Sequence, residues 1–264
     1  ITLKAVITPY RNERSTVQKR WVGEVTHITR YPVKSMAGEP LTRTAVAAYG
    51  LYGDRSHALV DPAKQGWERY ITARQIPRLL GYRPTFLEQS TEGEFPKLSI
   101  ASPDGRTFGW DEQLLSEIDS LSNRTMTMSM IRHQPDSVDL LAVDTGAVLL
   151  ITDRSLRKLE RLTGREIDPR RFRANFIVSL QEDKAEDETG WIGKELSIGG
   201  CRLQIEEPCE RCSVITLDPD TYERDVNILK QVNEQMNLIF GVYASVTAVG
   251  DVGVGDRVYV EQQG

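Results

Sequence analysis

Leu196-Ser-Ile-Gly-Gly-Cys-Arg-Leu-Gln-Ile205 is the stretch that decides the fold. Leu196 and Ile198 alternate with polar residues before Gly199-Gly200, and Cys201, Leu203 and Ile205 alternate after it. A period of two on both sides of a Gly-Gly pair predicts a β-hairpin with one buried face. The same signal spreads outward. Phe172 to Leu180 predicts a strand, and Tyr243–Val249 and Arg257–Val260 predict the last two. Between them lie two helical stretches. Asp153 is placed to cap a helix with Leu156, Leu159 and Leu162 inward and Gly164 at its end. Val226, Leu229, Val232 and Met236 mark the inner stripe of a second. Ala147–Thr152 reads as an apolar strand, and 181–188 as a solvated acidic loop.

The first half repeats the pattern. Val22, Val25, Ile28 and Tyr31 lie among polar residues from Trp21 until Pro32 breaks the run. Leu41–Leu51 and Ser56–Val60 are short β-like runs. Leu98–Ala101 and Thr107–Trp110 flank a Pro103-Asp-Gly105 turn, and Asp111 caps a helix to about Ser122. Strands dominate, without regular βαβ alternation, repeats, a P-loop or a GxGxxG. The expected fold is mainly β with α (α+β), as two β-barrel-like domains with a few helices. A polar extension over residues 1–20, a first domain over 21–132 and a second over 133–264 are expected.

Composition limits the function. The chain has 264 residues, or roughly 1.8 domains at about 150 residues each. Lys+Arg total 33 against Asp+Glu 38, a net charge of −5, which argues against binding a nucleic-acid polymer but leaves room for a local anion pocket. The longest uncharged stretch, Gln235 to Gly250, is too short and too polar for a membrane span. Arg11, Glu13 and Arg14 sit where a signal peptide would be apolar, so a cytoplasmic location is expected. Three cysteines and three histidines exclude a disulfide framework, a four-thiolate iron–sulfur cluster and histidine-rich zinc chemistry.

Chemistry concentrates in Pro208-Cys-Glu-Arg-Cys-Ser213. Cys201 belongs to the inward face of its strand. Cys209 and Cys212 form a Cys-x-x-Cys with several readings. A zinc site would need two more ligands, and a thioredoxin-like pair would need a βαβ setting. Two buried structural thiols, or one soft thiolate on a metal cofactor, remain open. Asp218-Pro-Asp-Thr221 reads as a turn capping the next helix rather than as a carboxylate pair. Lys34-Ser35, Asp54-Arg55, Thr72-Ala-Arg74 and Arg78 are each ordinary surface groups, yet together they could line an anion pocket.

Taken in order, these pieces have a family look. Tyr31-Pro-Val-Lys-Ser35, Gly53-Asp-Arg55, Thr72-Ala-Arg-Gln75, Arg173-x-Asn175, Cys209-x-x-Cys with Asp218-Pro-Asp220, and Val254-Gly-Asp256 resemble the MOSC family with its N-terminal β-barrel partner domain. The resemblance runs from about Trp21 to Val260 and is strongest to the mitochondrial amidoxime reducing component and its bacterial relatives. It implies a molybdenum cofactor, a pterin dithiolene with a phosphate tail, held between two domains. By position, Cys212 matches the catalytic metal ligand and Cys209 a neighbouring non-ligand. Lys34, Ser35 and Arg55 match cofactor-binding positions of the first domain. Thr145, Arg173, Asn175, Arg211 and Tyr243 match those of the second. Gly146 and Glu210 depart from it, standing where the mitochondrial relative carries serines.

The implied activity is reduction of N-hydroxylated compounds (amidoximes, hydroxylamines, N-hydroxylated bases). Electrons would come from a separate ferredoxin, flavin reductase or cytochrome b5-like protein. The alternative is a sulfur, persulfide or cofactor carrier without turnover of its own.

Overall fold

A computed structural model describes residues 18–87, 93–122, 127–181 and 187–262. The first half lays down β1 (Gln18–Arg30), β2 (Glu39–Leu41), β3 (Arg43–Ala47), β4 (Gly50–Leu51), β5 (His57–Val60), β6 (Arg83–Phe86), β7 (Leu98–Ala101), β8 (Thr107–Phe108), helix α1 (Glu112–Leu121) and β9 (Ser129–Arg132). The second half adds β10 (Val148–Thr152), helix α2 (Asp153–Thr163), β11 (Phe176–Leu180), β12 (Glu195–Ile198) and β13 (Cys201–Glu210). It ends with helix α3 (Val226–Met236), β14 (Ile239–Ala248), β15 (Gly250–Gly253) and β16 (Arg257–Gln262).

The Gly199-Gly200 hairpin forms as expected, with Ile198 opposite Cys201 and Leu196 opposite Leu203. It is one part of a closed barrel ordered β11-β10-β14-β13-β12-β16-β1, with β1 pairing back onto β11. The barrel fills with side chains rather than solvent: Val22, Ile28, Val178, Ile198, Cys201, Leu203, Val242 and Val258 form one buried cluster. Such a cluster is the main favourable term holding the staves together.

Among the described residues this is the one closed barrel. The first half builds three short sheets, β15-β3-β4, β5-β9 and β6-β7-β8. The β5-β9 and β6-β7-β8 sheets pack on a second core of Val33, Met36, Leu59, Leu79, Tyr82, Ile100, Leu114 and Ile118, whereas Val46, Leu51 and Val252 of the β15-β3-β4 sheet join the barrel core. The asymmetry comes from β1. Its 13 residues are long enough to hydrogen-bond β16 on one edge and β11 on the other. Gly23 permits this crowding, since a Cβ there would sit 2.2 Å from the Ser179 carbonyl oxygen. The second half returns the favour, because β15 pairs with β3.

Several local expectations shift. β10, α2 and β11 form one βαβ unit with a parallel pair, although no regular alternation is visible in the sequence. The cap of α2 is Thr152, whose hydroxyl accepts from Ser155 N–H. Its neighbour Asp153 instead receives Leu180 N–H and the Ser179 hydroxyl, tying the helix to β11. Gly164 ends α2 in the left-handed region at φ 71°. Asp218 does form a turn, accepting Asp220 and Thr221 N–H, but Asp225 caps α3. Val226 is exposed rather than part of the α3 stripe, which buries Ile228 and Val232. Of the expected extension, residues 1–17 lie outside the described residues, while Gln18, Lys19 and Arg20 belong to β1. No helix among the described residues is long and apolar enough to cross a membrane.

The acidic stretch 181–188 ends differently from expectation. Residues 182–186 lie outside the described set, and Glu188 is 1% exposed. Its carboxylate accepts from the Thr152 hydroxyl and from the Ser155 hydroxyl at 2.7 Å. Burial pushes its pKa up to about 7 despite those donors. A carboxyl raised on folding stabilises the protein fully below its unfolded value of 4.5, and the benefit is lost as pH rises through about 7. Glu188→Gln should therefore remove a pH-dependent loss of up to about 3 kcal/mol. Urea unfolding of parent and variant at pH 4, 5.5, 7 and 8 should give curves that converge at low pH. The variant should be the more stable at pH 8.

Candidate functional site

The two halves meet around a cleft of about 480 Å³. Its first-half wall begins where β1 stops. Tyr31 N–H donates to Asp54 Oδ1 at 2.7 Å, and Arg55 N–H donates to the Tyr31 carbonyl at 2.6 Å. This folds Lys34-Ser35 and Arg55 toward the second half. The second-half wall comes from the loop before β11, the 143–146 segment, the end of β13 and β14. Irregular pairing at Ile205/Glu207 and Pro208/Glu210 bends β13 as it reaches the cysteines.

The nine positions matched by the resemblance all line this one cleft: Cys212, Lys34, Ser35, Arg55, Thr145, Arg173, Asn175, Arg211 and Tyr243. Three of them, Ser35, Arg55 and Arg173, hold left-handed backbones at φ 68°, 49° and 56°. Non-glycine residues adopt that region at a cost, and such strain clusters at functional sites.

The cationic groups are held firmly. Lys34 is buried, and its Nζ donates to the Ala142 carbonyl at 2.9 Å and to Asp144 Oδ1 at 2.5 Å. Burial pushes the Lys34 ammonium below its ordinary range, while Asp144 opposes the drop. Partial desolvation at the cleft works to raise the Asp144 carboxyl, but Lys34, together with Arg55 and Arg173, outweighs it and keeps the acid ionised. Arg55 donates to Asp54 Oδ2 at 2.5 Å and across the cleft to the Arg173 carbonyl at 3.1 Å. Arg173 donates to the Met36 carbonyl at 2.7 Å, and burial lowers its pKa to about 10. Arg211 donates to Cys209 Sγ and to the Phe172 carbonyl, both at 2.8 Å.

The two vicinal cysteines are not equivalent. Cys209 is buried, and Cys212 is exposed in the cleft. Cys201 lies in the barrel core as expected. The Tyr243 phenol lies against Cys209, and burial together with that sulfur raises its pKa, so its proton stays on. Asn175 has a structural duty: its Oδ1 accepts Leu149 N–H at 3.0 Å and its Nδ2 donates to the Thr29 carbonyl at 3.2 Å. It thereby ties β1 to β10.

Sequence reading passed over other lining groups. Asp144, Trp67, Phe172 and Glu207 join the wall; so do Glu210, already noted as a departure from the family, and Thr72 and Arg74 of the basic cluster. Arg78 of that cluster is exposed and does not line the cleft. The one available signal for Asp144 was its adjacency to Thr145-Gly146.

The lining carries five cations (Lys34, Arg55, Arg74, Arg173, Arg211) against three acids (Asp144, Glu207, Glu210). Arg173 Nη2 and Arg211 Nε are buried without a hydrogen-bond partner. Buried donors of this kind call for an acceptor. The cleft therefore fits an oxyanion-bearing ligand beside an accessible thiol.

Comparison with known proteins identifies two modules along the chain. Residues 22–143 match the MOSC N-terminal beta barrel domain and residues 138–259 the MOSC domain. The chain is a MOSC-family protein carrying both modules. Mitochondrial amidoxime reducing component 2 of Macaca fascicularis is 27% identical, over 90% of this chain and 83% of that protein. Molybdenum cofactor sulfurase of Homo sapiens is 24% identical over 83% of this chain, which spans only 29% of that longer protein. Among solved structures, the YUAD protein from Bacillus subtilis aligns with a TM-score of 0.46 at 12% identity, over 94% of this chain and all of that one.

Gly146 has a steric reason in this chain. A Cβ there would lie 2.7 Å from Tyr243 Cβ, which is not the free end of a side chain. Gly146→Ser should cost about 1–3 kcal/mol in urea unfolding as the two segments are forced apart. A Tyr243→Gly background should remove most of that cost in a double-mutant cycle.

Proposed function

We propose that this chain is a molybdenum-cofactor-binding oxidoreductase of the cytoplasm that reduces N-hydroxylated compounds. The observation that carries this reading is the exposed Cys212 thiol in the same cleft as Lys34, Arg55, Arg173 and Arg211, beside buried guanidinium donors without partners. Similarity to amidoxime reducing components over most of the chain supports it further.

When bound, such a cofactor supplies two-electron exchange coupled to removal of oxygen from an N–OH group. The protein's part is position and electrostatics. Cys212 would be the metal's thiolate ligand, a soft donor suited to a metal in sulfur surroundings. Lys34, Arg55 and Arg173 would hold the phosphate tail, with Arg173 Nη2 as a donor already free for it. Ser35 and Thr145 would add hydroxyl contacts from opposite walls. Arg211 is fixed by Phe172 and Cys209, so its guanidinium needs no reordering to meet an anion. Asn175 would keep the wall in register, and Tyr243 would retain its phenolic proton toward Cys209. Electrons would come from a separate ferredoxin, flavin reductase or cytochrome b5-like protein.

The competing reading is a sulfur or cofactor carrier, favoured by the accessibility of Cys212 and the match to the sulfurase. One experiment separates the two. Protein made in a cofactor-producing host should carry about one molybdenum per chain, and Cys212→Ala should lose nearly all of it. The parent with excess electron donor should turn over benzamidoxime many times. A molybdenum-free parent carrying an added sulfur on Cys212 by mass spectrometry would instead establish the carrier.

A further inference from the structure

Arg55 and Arg173 come from different halves of the chain, yet both guanidinium groups rest on one ring. The Cζ atoms of Arg55 and of Arg173 each lie 4.3 Å from the centroid of Tyr31. The two charges repel, and Asp54 neutralises only one of them, through Arg55. Among the described residues Arg173 has no ion pair, and one of its nitrogens has no partner at all. Arg173 donates to the Met36 carbonyl at 2.7 Å, but its charge has no carboxylate to offset it. An aromatic face attracts cations through its quadrupole, and the attraction grows when water is excluded. Tyr31 is 3% exposed, so its ring works in that stronger regime.

The ring itself is immobilised. Its backbone N–H is bound by Asp54, and its hydroxyl donates to the Ala174 carbonyl over a long 3.4 Å. Gly38 lies close against its edge, where a Cβ would come within 2.7 Å of Tyr31 Cε1. Burial raises the phenol's pKa, and the nearby arginines only partly offset this, so the ring stays neutral.

We propose that Tyr31 is a positioning residue, whose neutral ring holds Arg55 and Arg173 together across the junction of the two halves as a ready-made site for a phosphate-type oxyanion. It rests on the anion-binding cleft proposed above and names what assembles it. Preorganised cations gain affinity because the ligand need not order them or overcome their repulsion. The face of the ring matters here, while the hydroxyl makes only one long hydrogen bond.

Full-length, cofactor-free protein should be titrated calorimetrically with inorganic pyrophosphate at fixed salt. Tyr31→Phe should bind within about twofold of the parent, since the ring face is kept. Pentafluorophenylalanine placed at position 31 has nearly the same shape but an inverted quadrupole. It should weaken binding at least about tenfold with thermal stability close to that of Tyr31→Phe. Tyr31→Leu should be as weak or weaker if it folds. Equal affinity of the Phe and pentafluoro variants would overturn the proposal, and so would a loss already complete in Tyr31→Phe. A parent that binds no pyrophosphate overturns it too, whatever its molybdenum content. A parent that binds pyrophosphate but never acquires molybdenum would sink the cofactor reading alone, with the Tyr31 series still decisive.

Discussion

β1 has hydrogen-bonding partners on both edges, β16 along one and β11 along the other. Without it the second half would expose two bare strand edges, each a row of unpaired amides and carbonyls. With it the sheet closes and the apolar faces of seven strands share one interior. The same strand then leaves the barrel and runs directly into Tyr31-Pro-Val-Lys-Ser35. Closure and the first wall of the cleft are therefore one event in the chain. β15 repeats the exchange by pairing with β3. The half that holds Cys212 cannot close its barrel alone, and a boundary near residue 132 divides the sequence more cleanly than it divides the sheets.

Net charge conceals the cleft. A chain at −5 carries five cationic groups along a single cavity, Arg55 paired with Asp54 behind it and Lys34 with Asp144 on its wall. Cations crowded this way would repel and desolvate at a loss unless paired, stacked or hydrogen-bonded. Each here has such a partner: Lys34 an acid and two aromatic rings, Arg55 an acid and Tyr31, Arg173 Tyr31 and a carbonyl, Arg74 the Trp67 ring, Arg211 the Cys209 sulfur and the Phe172 carbonyl. What remains unsatisfied is narrow, one nitrogen of Arg173 and one of Arg211. A site filled in all but a few donors is selective about what completes it.

How much of this could be read from the sequence depended on distance along the chain. The Gly199-Gly200 hairpin and the Asp111 cap are local, and both form as read. The cap of α2 was misplaced by one residue because Thr152 and Asp153 are both good capping types, and only contact with β11 assigns Asp153 elsewhere. Glu188 looked solvated because the hydroxyls that donate to it in the interior belong to α2 and its cap, far back in the chain. The double role of β1 is non-local and leaves no mark in its alternation. For the cleft, the residues themselves suggested an anion pocket from scattered basic groups but could not say which converge. Arg74 does and Arg78 does not. The family resemblance named positions of both halves together, and those nine residues do line one cavity. It gave Tyr31 no role beyond its place in the Tyr31–Ser35 motif, because its ring contacts with Arg55 and Arg173 exist only once the halves have met.

The pairing of Lys34 with Asp144 bears on how this cleft takes up a ligand. Asp144 is 57% exposed, while the lysine it satisfies is 6% exposed. The protein thus carries its own detachable counterion at the mouth of a positive cavity. Under the proposed reading, an oxyanion that reached Lys34 would take the place of this more exposed carboxylate. Loading the site then resembles ion exchange on a resin: one negative group leaves as another arrives, and the buried ammonium is never stranded between them.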